Sequence, residues 1–61
     1  MSVVVLRTDR MAELRELLEA MGMEFEVEKH GSGPEHFACE KNGVVLEIYP
    51  ADDRKEPIQF L

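Results

Sequence analysis

HFACEKNGVVLEIYP, residues 36–50, decides the fold. Asn42-Gly43 between two β-forming runs is the strongest short-range hairpin signal. With these two as turn residues, Lys41 pairs with Val44. Cys39 then faces Leu46, Ala38 faces Glu47, Phe37 faces Ile48 and His36 faces Tyr49. Directly opposed side chains share a face. One face therefore carries Phe37, Cys39, Val44, Leu46 and Ile48, and is apolar. The other carries His36, Ala38, Glu40, Val45, Glu47 and Tyr49. Pro50 ends the run. Glu47 is its one carboxylate, set among residues that favour burial.

Outward from the hairpin, VVVL at residues 3–6 is β-branched and apolar on both faces, the pattern of a strand buried on both sides. Thr8 and Asp9 are the candidate N-caps of the next element. Met11, Leu14, Leu17, Leu18 and Met21 recur at helical spacing, and Gly22 stands where a C′ glycine belongs. The period then switches to two. Met23, Phe25 and Val27 alternate with Glu24, Glu26 and Glu28, predicting an edge strand over 23–30 whose acidic side is solvated. HGSGPE, residues 30–35, is a loop by its glycines and proline. It holds no lysine and opens no helix, so it fails as a phosphate cradle. Residues 51–61 read as a charged stretch, ADDRKEP, and an apolar end, IQFL, either frayed or docked on a partner. The order is β-α-β-β-β, one α+β domain over 1–61 with its core at 3–50.

A helix stripe of Leu14, Leu17, Leu18 and Met21 should cover the apolar face. Val4 and Leu6 join that side, which puts Val3, Val5 and Arg7 on the face of Glu47. With one helix in the chain, this second face lacks a cover, yet Val3, Val5, Val45 and Tyr49 make its centre apolar. The expectation is a homodimer or higher homo-oligomer in which a second copy covers it.

Size and charge narrow the rest. A chain of 61 residues buries only about 60% of its unfolded surface, so small domains lean on disulfides, metals or partners. Cys39 is the only cysteine, so no disulfide forms within the chain, and a lone thiol fits a reducing, cytoplasmic setting. Its place opposite Leu46 makes it a packing residue rather than a nucleophile. A net charge of -6, from 13 acidic and 7 basic residues, opposes binding to nucleic acid. No apolar run in the first residues approaches the length of a signal or membrane segment.

The element order, the run LRTDRMAELRELLEAMGMEFEVEKHG, the loop HGSGPEH with FACE after it, and the strand VVLEIYP together resemble the vicinal oxygen chelate superfamily. That superfamily holds glyoxalases, ring-cleaving dioxygenases and bleomycin resistance proteins. The resemblance spans residues 3–50 and implies one βαβββ module of the glyoxalase-like fold. Such modules pair to complete an incurved sheet around a cavity, so two chains of this length would have to pair. It also implies that Glu47 points into the cavity. Metal-dependent members place a His or Gln on the first strand as its companion ligand; here Val3 stands at that position and cannot ligate.

Two readings of Glu47 follow. It ion-pairs with Arg7 across a partly wet cavity, or it serves function. His36 lies diagonally across the hairpin from it and is either a strand-end histidine near solvent or a substitute ligand. Two His36 and two Glu47 from two chains would hold one divalent ion, zinc or nickel, per dimer. His30, beside Gly31, reads as a surface residue.

Three functions remain open. The first is a metal-free small-molecule binder, with Arg7, Glu47 and Tyr49 as its polar contacts and valines as its walls. The second is a metal-dependent glyoxalase-like lyase or related enzyme, whose metal polarises vicinal oxygens. The third is a structural or engineered half-module without activity.

Overall fold

The fold is described by a computed structural model covering residues 2–61; Met1, part of the expected 1–61 domain, lies outside the described residues. Six elements follow in order: β1 (Ser2–Thr8), α1 (Met11–Ala20), β2 (Glu26–Glu28), β3 (His36–Lys41), β4 (Val44–Pro50) and β5 (Ile58–Phe60). They form one mixed five-stranded sheet, ordered β2-β3-β4-β1-β5, with a single helix.

The hairpin forms as its turn dictates. Asn42 and Gly43 both take positive φ, 55° and 80°, as a type I′ turn requires. The register runs from Lys41↔Val44 to Phe37↔Ile48, with Cys39 opposite Leu46 and Ala38 opposite Glu47. Strand β1 lies parallel to β4, with Val3↔Val45, Val5↔Glu47 and Arg7↔Tyr49. Residues in register across parallel strands share a face, so Val3, Val5 and Arg7 lie on the side of Glu47, as the pattern predicts.

The helix ends in a Schellman motif. Gly22, at φ 95°, donates to the Glu19 carbonyl and Met23 donates to that of Leu18. Its start differs from expectation. Neither Thr8 nor Asp9 is the N-cap; that residue is Arg10, which makes no side-chain cap bond. The Thr8 hydroxyl instead accepts the Arg10 N–H at 3.0 Å, just ahead of the first turn.

On the helix side, Phe25, Cys39 and Ile48 are buried together, with Met11, Leu14, Leu18, Met23, Phe37 and Leu46 packed around them. The expected stripe is only half used. Leu17 and Met21 are 60% and 70% exposed. At 3.6 residues per turn, Leu14, Leu18 and Met11 fall within about 60° of one another, and Leu17 lies on the far side of Leu14. Met21 lies beyond the last helical residue. Phe25 fills the space instead, carried inward by an irregular segment where a strand from residue 23 was expected. Arg15 ties the helix to this segment: its guanidinium lies 4.6 Å from the Phe37 ring centroid and donates to the Phe25 carbonyl at 3.1 Å.

The C-terminal run is not frayed; its backbone forms strand β5, and its apolar side chains stay exposed. It pairs antiparallel with β1, with Val4↔Phe60, Val5↔Gln59 and Leu6↔Ile58. Leu61 and Val3 exchange backbone bonds of 2.8 and 3.3 Å, and the Arg7 N–H donates to the Pro57 carbonyl at 2.8 Å. Val5 thereby has a neighbouring strand on each side and is 3% exposed, although its face carries no helix. The second face is thus more closed at its centre than the pattern predicts. Exposed apolar side chains gather at the sheet margins instead, on β2 (Val27) and on the β5 end (Ile58, Phe60, Leu61). No helix among the described residues is long and apolar enough to cross a membrane.

Candidate functional site

The site lies on the face away from the helix. Three strands and one loop converge there. Strand β2 sets Glu28 opposite His36 of β3. Strand β4 sets Glu47 opposite Ala38, two positions along from His36. The loop after β2 turns at Gly31, φ 59°, and the Gly33 N–H closes it onto the His30 carbonyl at 3.0 Å. This turn brings the His30 ring over His36, with centroids 5.0 Å apart.

His36 is the deepest polar residue of this face. It is 1% exposed, so it is not the strand-end histidine near solvent that one sequence reading allows. Its ring stacks on Tyr49 from the adjacent strand, and the returning loop closes over it. The Nδ1 atom lies 3.3 Å from the Pro34 carbonyl oxygen. The Nε2 atom points at carboxylates: Glu28 Oε1 at 3.4 Å and Glu47 Oε2 at 3.8 Å. Glu28 Oε1 is also 3.6 Å from His30 Nε2. One donor atom from each of Glu28, His30, His36 and Glu47 falls within 4.8 Å of the others, a group that could hold a metal ion.

Glu47 borders two spaces of opposite charge. On one side is an open groove of about 870 Å³ whose lining includes Glu24, Glu26, Glu28 and Glu40. On the other is a cavity of about 380 Å³, lined by Val5, Arg7, Tyr49 and Lys55 among others. The three residues expected to contact a ligand, Arg7, Glu47 and Tyr49, therefore share one cavity.

The expected Arg7–Glu47 ion pair does not form among the described residues. Arg7 instead donates to the Glu56 carbonyl at 2.8 Å and to Gln59 Oε1 at 3.0 Å. The β5 segment supplies both acceptors, and both are neutral, so the guanidinium keeps its charge uncompensated. It stands 5.8 Å from the Tyr49 ring centroid. Partial burial raises the Tyr49 pKa above its ordinary value, and the Glu47 carboxylate raises it further; Arg7 opposes both.

Cys39 is buried beside Phe25 and Ile48, a packing role as its register predicts. Glu28 and His30 are the members of the site that the sequence pattern does not single out. The alternation of Glu24, Glu26 and Glu28 reads as a solvated edge, and nothing in a seven-residue loop fixes which of them meets His36. Only the β2–β3 register does so.

No family model, curated protein or solved structure matches the chain. The geometry of this face carries the functional reading by itself.

Proposed function

We propose that the protein is a glyoxalase-like, vicinal oxygen chelate-type half-module that binds a small molecule on the face of Glu47. The carrying observation is the single cavity bordered by Arg7, Glu47 and Tyr49 over the Val5 side chain. Val5 offers an apolar floor. Arg7, with no carboxylate partner, offers a cation for an anionic or carbonyl oxygen of the ligand. The ligand class is thus a small, partly apolar molecule with such an oxygen at one end. Amide NMR with small carboxylic acids of this kind tests the proposal. Shifts confined to Val5, Glu47, Tyr49 and their neighbours support it. Shifts scattered over the helix, or none at millimolar acid, reject it.

In this reading two or more copies assemble and enclose the cavity. Exposed Leu61, which borders the cavity, supports an assembled state on this face, whereas exposed Val27, Ile58 and Phe60 lie on the helix side of the sheet and offer a separate contact. Sedimentation at micromolar concentration decides it, and a strictly monomeric species rejects it.

A second reading, a metal-dependent glyoxalase-like lyase, is favoured by the Glu28, His30, His36 and Glu47 group beside the same cavity. The ion, zinc or nickel by donor type, would act as a Lewis acid. Turnover that follows metal loading separates the lyase from the binder.

A further inference from the structure

We infer that Glu28, His30, His36 and Glu47 form a divalent metal centre, zinc by preference, complete within one chain. It differs from the ligand set that the family resemblance implies, which pairs the Glu47 position with a first-strand residue. It also differs from a centre shared by two His36 and two Glu47 across a dimer. It deepens the second reading above, whose metal group it specifies, and its test reads zinc binding rather than turnover; it stands apart from the small-molecule reading, since a chain could bind zinc and no organic ligand.

The argument begins with the His36 ring. A carbonyl oxygen can only accept, so the 3.3 Å contact between Nδ1 and the Pro34 carbonyl is a long hydrogen bond in the tautomer that carries its hydrogen on Nδ1, and that tautomer is the one the proposed centre takes. In a neutral ring the lone pair is then on Nε2. A backbone carbonyl holding Nδ1–H is the arrangement that orients metal-ligating histidines. The flat stack on Tyr49, with planes 9° apart, fixes the ring further.

Nε2 is buried and has no hydrogen-bond partner. A buried polar atom left unpaired is costly, and this one faces two carboxylates. A lone pair against carboxylate oxygens is acceptor against acceptor. Something positive belongs between them. At 3.4 and 3.8 Å neither carboxylate forms a hydrogen bond with Nε2 among the described residues.

An ion fits the spacing. Zinc bonds to nitrogen and oxygen of about 2.0–2.2 Å put tetrahedral corners roughly 3.3–3.6 Å apart. Three of the six donor separations lie at 3.4, 3.6 and 3.8 Å and all lie within 4.8 Å, so an ion would draw the four atoms together by at most about 1 Å. Two imidazoles with two carboxylates form a mixed N/O set that suits zinc over magnesium or calcium, which take oxygen ligands. Charge agrees: a doubly positive ion neutralises Glu28 and Glu47. The carboxylates of the adjoining groove raise the local cation concentration. His30, exposed at the loop, stands on the entry side, and His36 closes the inner side.

The test is a calorimetric titration of chelator-stripped full chain with zinc chloride, with metal analysis after gel filtration. The expected result is one ion per chain and a higher thermal midpoint. His30→Ala and Glu28→Gln alter half-exposed or exposed side chains, so both variants should fold, and each should weaken zinc binding at least about tenfold. Nitrogen NMR should show the His36 Nε2 resonance move on zinc addition while Nδ1 keeps its hydrogen. Absence of binding at 100-fold excess zinc overturns the inference. So does binding that both variants leave intact. One ion per two chains overturns the single-chain centre in favour of a shared one.

Discussion

The His36 imidazole lies flat on the Tyr49 phenol ring, with centroids 4.2 Å apart and planes 9° apart. The contact joins β3 to β4 on the face that lacks a helix. It lets a polar ring be buried by stacking while one of its nitrogens stays unpaired. His36→Phe separates these two roles. It keeps a flat ring on Tyr49 and removes Nε2. In metal-free buffer this variant should be as stable as the parent, or more stable by about 1 kcal/mol, because an unpaired buried nitrogen has gone. In excess zinc the order should reverse, since only the parent gains from the ion. Urea unfolding with and without zinc reads both. A variant that loses several kcal/mol in metal-free buffer would show that Nε2 is already satisfied.

Tyr49 is the only tyrosine and the chain has no tryptophan, so phenolate absorbance reports this ring alone. Its pKa should lie above the ordinary 10.0, chiefly through burial, and Glu47→Gln should bring it partly back, leaving the shares due to burial and Glu28 against the opposing Arg7. The native state holds the proton longer than the unfolded chain does. The associated stability is therefore complete below about pH 10 and lost as pH rises through the folded value. A titration midpoint at or below that of the urea-unfolded chain would contradict this.

Ile48 is fully buried among Phe25, Cys39 and the helix. Ile48→Ala should cost about 2–5 kcal/mol and Ile48→Val about 1 kcal/mol. Domains of this size hold only about 3–5 kcal/mol in total. The alanine variant should thus be largely unfolded at 25 °C by circular dichroism, and the valine variant folded with a lower midpoint.

Arg7 clasps the C-terminal segment through Glu56 and Gln59. Arg7→Ala should speed hydrogen exchange of the Leu61 amide, which bonds to Val3, by roughly tenfold, the equivalent of about 1.4 kcal/mol. Amides of α1 should keep their rates. Equal acceleration in both would mean that β5 and the helix open as one unit.

Val5→Glu distinguishes the two faces as they now stand. Val5 is buried within one chain, between Glu47 and Gln59 in the register. A second carboxylate beside Glu47, at a buried position, should unfold the chain rather than dissociate an assembly. A folded monomer in this variant would return Val5 to an intermolecular surface.

Why some of this was legible in the sequence, and some not, comes down to what fixes register. A two-residue Asn-Gly turn permits one pairing, so the β3–β4 faces, the core place of Cys39 and the shared face of His36 and Glu47 follow from spacing. Gly22 is readable because its positive φ ends the helix at one place. The loop from 29 to 35 has no such geometry, so Glu28 could not be told from Glu26 as the neighbour of His36. Strand β5 is three residues long and follows Pro57, too short for alternation to register. Without β5 the pattern leaves Val5 uncovered and Arg7 free to pair with Glu47; with β5 in place Val5 is buried and Arg7 bonds to Glu56 and Gln59. The half-used helix stripe has a separate cause, since periodicity alone does not reveal that Phe25 joins the core while Leu17 stays outside it.

Strand β1 precedes both of its partners by a long stretch of chain. Its two neighbours are β4 and β5, so it pairs with residues 44–50 and 58–60 and with nothing nearer in sequence. The β3–β4 hairpin, closed by two residues, can form early and alone. The centre of the sheet must wait for the two ends of the chain to meet, at the entropic cost of closing a loop of some forty residues or more. Refolding should therefore be slow for so small a protein. Until residues 44–50 arrive, the valines of β1 have no sheet to join, and a nascent chain would present them as a sticky segment.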